Sequence, residues 1–255
     1  MVKHAVVSHA EWTEARTRFL AKEKEFTRLR DELSRERREL PWVKVEKQYI
    51  LDSPKGKETL ADLFDGRSQL IIKHFMLGPG WKEGCVGCSF EVDHIEGALV
   101  HLEHHDVSYV VVSRAPLPEI EAFKKRMGWR FKWVSSYDSD FNYDFHVSFK
   151  PEEIEKGEAY YNYEMRRVGI EELSGRSVFY KDENGDVFHT YSSYGRGGDL
   201  MLGTYNILDL MPKGRNETGP NHNLTDWVRH HDRYDTGGYV APTGRYVPAD
   251  GAAER

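Results

Sequence analysis

Cysteine is scarce: the 255 residues contain two, Cys85 and Cys88. A secreted disulfide scaffold scatters many along its chain, so that class is excluded. Long apolar runs are also missing. The longest falls well short of the ~20 residues that a membrane span requires, and no membrane partner is expected. Met1 to Arg18 mix charge and histidine with no apolar h-region, which argues against a secretory signal. No long basic stripe occurs outside the N-terminal segment, and the net charge is −6 with a pI of about 6.1. Nucleic acid is therefore not expected as a partner. A cytoplasmic location follows as the default, and no internal repeat is visible.

Aromatic residues are abundant at 13%, with 14 Tyr, 12 Phe and 6 Trp, and they concentrate after Gly128. Hydrophobic residues at 39% and charged residues at 31% suit a globular chain. Residues 1–40 read as a helical extension. Ser8 or Thr13 caps it, Trp12, Ala15, Phe19, Phe26, Leu29 and Leu33 recur at helical spacing, and Pro41 stops it. Such a helix packs on its own domain or joins two copies of the chain into a homodimer. Residues 41–234 read as the main domain. Val43 to Leu51 is a predicted strand and Thr59 to Phe64 a short helix. Leu70 to Met76 is a buried central strand, because its apolar residues run together. Cys85 to Glu103 is a helix candidate and Val107 to Val112 a second buried strand, the pattern of a right-handed βαβ crossover. Pro116 and Pro118 open another helix that Gly128 ends, and Phe131 to Val134 is a third strand. Residues 135–176 form an aromatic-rich insertion. Asn184-Gly185 between two β-type runs signals a hairpin, and Asp199 to Leu208 is a helix candidate. Residues 235–255, rich in Gly, Pro and Ala, are expected to be a flexible tail.

The two cysteines are three apart, where a strand hands over to a helix. The free N–H groups of a first helical turn favour an anion, and the thiolate is the reactive form of cysteine. Cys85 is thus the expected nucleophile and Cys88, one turn inside, the resolving thiol. Two other readings stand beside this one: both cysteines as packing residues, or half of a zinc site completed by histidines such as His74, His94, His101, His104 or His105. His74, on the preceding strand, is either a proton acceptor for the pair or a satisfied core residue. Arg196, between glycines, could approach an anion or simply face solvent.

The Cys85-x-x-Cys88 motif, its strand–helix setting and the later hairpin resemble thioredoxins, and the opening strand, Thr59 to Phe64 and the second strand resemble the front half of peroxiredoxins. More closely, the chain is similar to the bacterial family catalogued as domain of unknown function 899. The matching runs are Leu40-Pro41-Trp42-Val43, His74-Phe75-Met76 with Gly78-Pro79 and Trp81, and Gly84-Cys85-Val86-Gly87-Cys88-Ser89-Phe90 with Asp93. Asp140 to Phe145, Val187 to Ser192, Gly214-Arg215-Asn216-Glu217 and Trp227 to Tyr234 continue the likeness. It implies a thioredoxin-like α/β fold, a central mixed sheet flanked by helices, and dithiol–disulfide oxidoreductase activity. Thioredoxins carry a cis proline before the strand facing the dithiol; here Ser174 to Phe179 has none, and Ser177 would take its place. Thioredoxins also bury an acid shortly before the motif, but no Asp or Glu occurs from Arg67 to Lys82. Peroxiredoxins place Thr three residues before the reactive cysteine, where this chain has Lys82.

The expectation is therefore a thiol–disulfide oxidoreductase acting on a disulfide or oxidised thiol, without a metal or other cofactor. Trp81, His74, Ser177, His189 and Arg196 are the candidate substrate contacts. The aromatic stretch from Tyr137 to Phe149, with Trp129 and Trp133, either walls a small-molecule pocket or extends the core. The alternatives are a non-catalytic binding or assembly module and a zinc-binding protein.

Overall fold

The computed structural model describes residues 4–249. It divides into two units, Met1–Trp42 and Val43–Arg255. The first holds α1 (His9–Arg38), 30 residues long. Ser8 caps it through a reciprocal pair: Glu11 N–H donates to Ser8 Oγ (3.3 Å) and Ser8 N–H donates to Glu11 Oε2 (2.9 Å). These bonds satisfy two otherwise orphaned donors. Arg35, Arg37 and Arg38 stand in the last turn, where the helix dipole favours cations.

The second unit opens with β1 (Val43–Lys44), β2 (Ile50–Ser53), β3 (Gly56–Thr59) and β4 (Gln69–His74). Helices α2 (Val86–Asp93) and α3 (Leu99–His104) lead to β5 (Val107–Ser113), and α4 (Leu117–Met127) leads to β6 (Lys132–Ser135). The expected helix from Cys85 to Glu103 is thus two helices broken by a turn containing Gly97. Helix α4 ends as its sequence dictates, with Gly128 in the left-handed region at φ 69°. The 135–176 segment carries α5 (Phe141–Asp144), α6 (Pro151–Lys156) and a separate hairpin of β7 (Glu158–Tyr161) with β8 (Glu164–Arg167). The predicted Asn184-Gly185 hairpin joins β9 (Gly175–Lys181) to β10 (Val187–Tyr194), and α7 (Gly203–Leu208) follows.

Eight strands form one sheet in the order β1-β10-β9-β4-β5-β6-β2-β3. Strands β4, β5 and β6 run parallel, while β9 pairs antiparallel with β4 and β10 antiparallel with β9. Parallel βαβ units joined to an antiparallel hairpin, with helices packed against the sheet, give a thioredoxin-like α/β fold. The strand expected from Val43 to Leu51 is split. Its first part, β1, lies on the outer edge, while β2 lies seventh in the order. Six residue steps from Lys44 to Ile50 span at most about 21 Å, whereas six strand spacings in a flat sheet need about 29 Å. The sheet therefore curls, bringing its two ends toward each other.

Alternation along the strands gives each sheet face its own core. On one face Tyr109, Val111, Phe75 and Trp133 pack with Ile120, Phe123 and both cysteines. On the other, Leu70, Ile72, Val110 and Val112 pack with Phe64, Phe141, Phe145 and Phe179. The aromatic residues Trp129, Trp133, Phe141 and Phe145 are core members on these two faces and line no cavity around the dithiol. Residues 239–247, placed in the tail by their composition, instead carry a hairpin of β11 (Tyr239–Val240) and β12 (Tyr246–Val247). Val240 and Tyr246 hold it down by packing with Val86, Phe90 and Val228.

Candidate active site

Cys85 is the N-cap of α2, so the sulfur pair lies at a helix start as the spacing predicts. The approach is tight. Cys85 N–H donates to the Met76 carbonyl at 3.0 Å, and Ser89 N–H and Oγ–H both donate to the Cys85 carbonyl at 2.9 Å. A Cβ on Gly84 would come within 2.4 Å of the Phe75 ring, so glycine lets the loop run over that aromatic cluster. The His230 ring holds the same loop from behind, with Nε2 2.9 Å from the Gly84 carbonyl.

Both cysteines are free and buried. They line the same cavity, and the ionisation of each thiol depends on the other. The neighbouring Cys88 side chain and burial push Cys85 well above the ordinary thiol range, although the Cys88 and Gly87 N–H groups act to lower it. Burial also opposes ionisation of Cys88. The neighbouring Cys85 side chain, the Lys73 ammonium and the Met76 N–H outweigh it and bring Cys88 down to about 6. The helix start presents its N–H groups to Cys85, while the Lys73 ammonium favours a thiolate on Cys88.

Lys73 belongs to a buried ionic cluster that sequence reasoning missed. Its Nζ lies 2.8 Å from Glu91 Oε2, and Arg176 clasps the same carboxylate with Nε 2.7 Å from Oε1 and Nη2 on Oε2. Lys73, Glu91 and Arg176 are all buried. Each comes from a different element: β4, α2 one turn beyond Cys88, and β9. A buried carboxylate without partners would be costly. Here desolvation is outweighed by the two cations, which hold Glu91 below the usual carboxylate range. Glu91 is the buried acid that the sequence lacks ahead of the motif, supplied instead from behind it. Gly198 makes room for Arg176, since a Cβ there would lie 2.0 Å from the guanidinium carbon. A lysine inside the apolar run from Leu70 to Met76 was the one visible sequence signal of this cluster.

A cavity of about 330 Å³ opens beside both sulfurs. Its lining includes Lys73, Glu91 and Arg176, apolar Ile170, Leu173, Leu202 and Leu224, and the loop Pro242-Thr243-Gly244. That loop caps the site. The Gly244 carbonyl accepts from Val86 N–H at 2.9 Å, and a Cβ on Gly244 would lie 2.8 Å from Cys85 Sγ.

The candidate substrate contacts divide. Arg196 lines the cavity, exposed and paired with Asp199 at 2.9 Å. Trp81 packs beside the core cluster containing the dithiol, with the Arg245 guanidinium 3.9 Å over its ring. His74, Ser177 and His189 do not line the cavity. Adjacent strand residues point to opposite faces, so Lys73 facing the cysteines sends His74 the other way. There His74 Nε2 meets Ser177 Oγ at 2.8 Å, Ser177 meets Ser192 at 2.8 Å, and Ser192 meets His189 at 2.7 Å. Phe141 and Phe145 flank the His74 ring. Desolvation and nearby cations lower His74 to about 3, so it is a neutral core residue. Among the described residues no group of three or more His, Cys, Asp or Glu gathers as a metal site. Nor is any described helix long and apolar enough to cross a membrane.

The fold and the sulfur pair define a thioredoxin-like chain with a C-x-x-C motif at a helix start. The chain belongs to the family described as bacterial protein of unknown function (DUF899), whose model matches residues 1–234. No curated protein matches it. Similar solved structures include peroxiredoxin Q of Xanthomonas campestris, 15% identical over 62% of this chain and 89% of that one, with a TM-score of 0.41. Peroxidoxin BcpB of Mycobacterium tuberculosis is 14% identical over 66% of this chain and 97% of that one, also with a TM-score of 0.41.

Proposed function

We propose that the chain is a thiol–disulfide oxidoreductase that reduces a small disulfide or oxidised thiol admitted to the cavity beside Cys85 and Cys88. The observation that carries this reading is the placement of two free sulfurs at a helix start, lining one cavity with the buried Lys73. Proton transfer from Cys85 to Cys88 puts the anion on Cys85, the less deeply buried sulfur. Cys85 attacks one sulfur of the substrate disulfide, forming a mixed disulfide and releasing the other half as a thiolate, which takes a proton from solvent. Cys88 then loses its proton, favoured by Lys73, and attacks Cys85 Sγ. The second half leaves as a thiol and Cys85–Cys88 becomes a disulfide, so two electrons pass from the dithiol to the substrate. The apolar lining and the modest volume suit a low-molecular-weight substrate better than a polypeptide.

The test is equilibration of the purified chain with glutathione buffers of graded potential, read by mass spectrometry of alkylated thiols. Reversible two-electron closure of Cys85–Cys88 is expected, and Cys88→Ser should accumulate a mixed disulfide on Cys85. A pair that stays reduced across the range would instead assign the chain to the binding modules.

A further inference from the structure

The charge pattern of α1 points to a partner for that helix, independently of the dithiol. Trp12, Phe19, Phe26 and Leu33 follow one another at intervals of seven and are each more than half exposed. Assigned to position a of a heptad, they place Ala15, Lys22, Leu29 and Glu36 at d. The flanking g positions are then Glu11, Arg18, Glu25 and Glu32, and the e positions are Arg16, Glu23, Arg30 and Arg37. At 1.5 Å per residue the helix is about 45 Å long, enough for four such heptads.

We propose that α1 joins α1 of a second copy of this chain in a parallel, in-register coiled coil. In that geometry each g residue faces the e residue five positions later on the other helix. Glu11 then meets Arg16, Arg18 meets Glu23, Glu25 meets Arg30 and Glu32 meets Arg37. All four combinations are of opposite charge, and symmetry doubles them to eight. The antiparallel alternative, with a facing d, pairs Arg16 with Arg30, Glu23 with Glu23, Glu25 with Glu25 and Glu11 with Glu39. Only Arg18 with Glu32 remains attractive there, so the flanking charges select orientation as well as partner. The polar d residues fit the same arrangement. Lys22 enters a hole bordered by Glu23 of the second copy, and Glu36 one bordered by Arg37. Such positions lower stability and fix register. Along a single helix Arg16 and Glu23 hold each other at 2.7 Å with both side chains about two-fifths exposed, a surface pair readily exchanged for partners across the seam.

Sedimentation equilibrium of the full chain should show a monomer–dimer equilibrium. Glu25→Arg should raise its dissociation constant about tenfold, since attraction becomes repulsion at two symmetric places. Adding Arg30→Glu to it should restore the dimer, which a merely misfolded helix would not. In a Cys85→Ser/Cys88→Ser background, Leu29→Cys should cross-link the dimer on oxidation, because in register Leu29 faces its own counterpart. A chain that stays monomeric, a dimer indifferent to Phe19→Glu and Glu25→Arg, or a dimer in which Leu29→Cys does not cross-link would each overturn the proposal.

Discussion

Lys73 Nζ and Glu91 Oε2 lie 2.8 Å apart beneath the cysteine pair, and solvent reaches neither side chain appreciably. Lys73 holds Glu91 ionised and also favours a thiolate on Cys88. Two anions, the Glu91 carboxylate and the thiolate, then face two cations, Lys73 and Arg176. Replacing Lys73 by methionine removes one cation and leaves Arg176 to pair with Glu91. The first thiol titration, followed by thiolate absorbance, should rise from about 6 toward the ordinary thiol range. At pH 7 the thiolate fraction should fall about twofold over the first unit of that rise, and toward roughly tenfold per unit only beyond it. An unchanged titration would show that Lys73 does not act on the pair.

Glu91→Leu tests the cluster from the other side. Lys73 and Arg176 would then be buried with no carboxylate between them. Breaking a buried ion pair by removing one partner costs about 3–5 kcal/mol. Urea denaturation should show a loss of that order, whereas an exposed control such as Glu164→Leu should change stability by less than about 0.5 kcal/mol.

His74 supplies a pH signature. It stays neutral in the folded chain because its value is lowered to about 3, while the unfolded chain takes up a proton near 6.5. Its stabilising contribution is complete above 6.5 and is lost as pH falls from 6.5 toward 3, at roughly 1.4 kcal/mol per pH unit. His189 and His230, both lowered mainly by burial, act in the same direction. Denaturation midpoints should therefore fall between pH 6.5 and 4, and His74→Gln should flatten that dependence. A slope that His74→Gln leaves unaltered would remove His74 from the account.

The hairpin over Cys85 makes a fourth prediction. Truncation after Tyr234 removes the Gly244 carbonyl from Val86 N–H and uncovers the sulfur. Alkylation of Cys85 should accelerate by about tenfold if cover is what limits access. Gly244→Ala should move in the same direction, since φ is +84° there and its Cβ would press on Cys85 Sγ. Equal rates with and without the hairpin would show that it does not guard the thiol.

Much of this was legible in the sequence because the signals are local. The apolar run around Ile71 and Ile72, the Asn184-Gly185 turn and the Gly128 stop each state their element within a few residues. The dithiol at a helix start was legible for the same reason. The ionic cluster was not, because Lys73, Glu91 and Arg176 lie on three elements far apart in the chain and meet only through the sheet register that pairs Lys73 with Arg176. His74, Ser177 and His189 carried the chemistry expected of substrate contacts, but strand alternation turned them to the far face. The 239–247 hairpin was hidden by a composition that suits a loose tail, and it is held by the packing of Val240 and Tyr246 on distant partners.

The pairing of charges around Glu91 has one more effect. If Cys85 and Cys88 join as proposed, the thiolate disappears while Lys73, Arg176 and Glu91 remain, so the cavity floor becomes net positive. An anionic product released there would be held more firmly after the reaction than its precursor was before it. Its departure would then be paced by re-reduction of the protein, which tethers the end of one turnover to the beginning of the next.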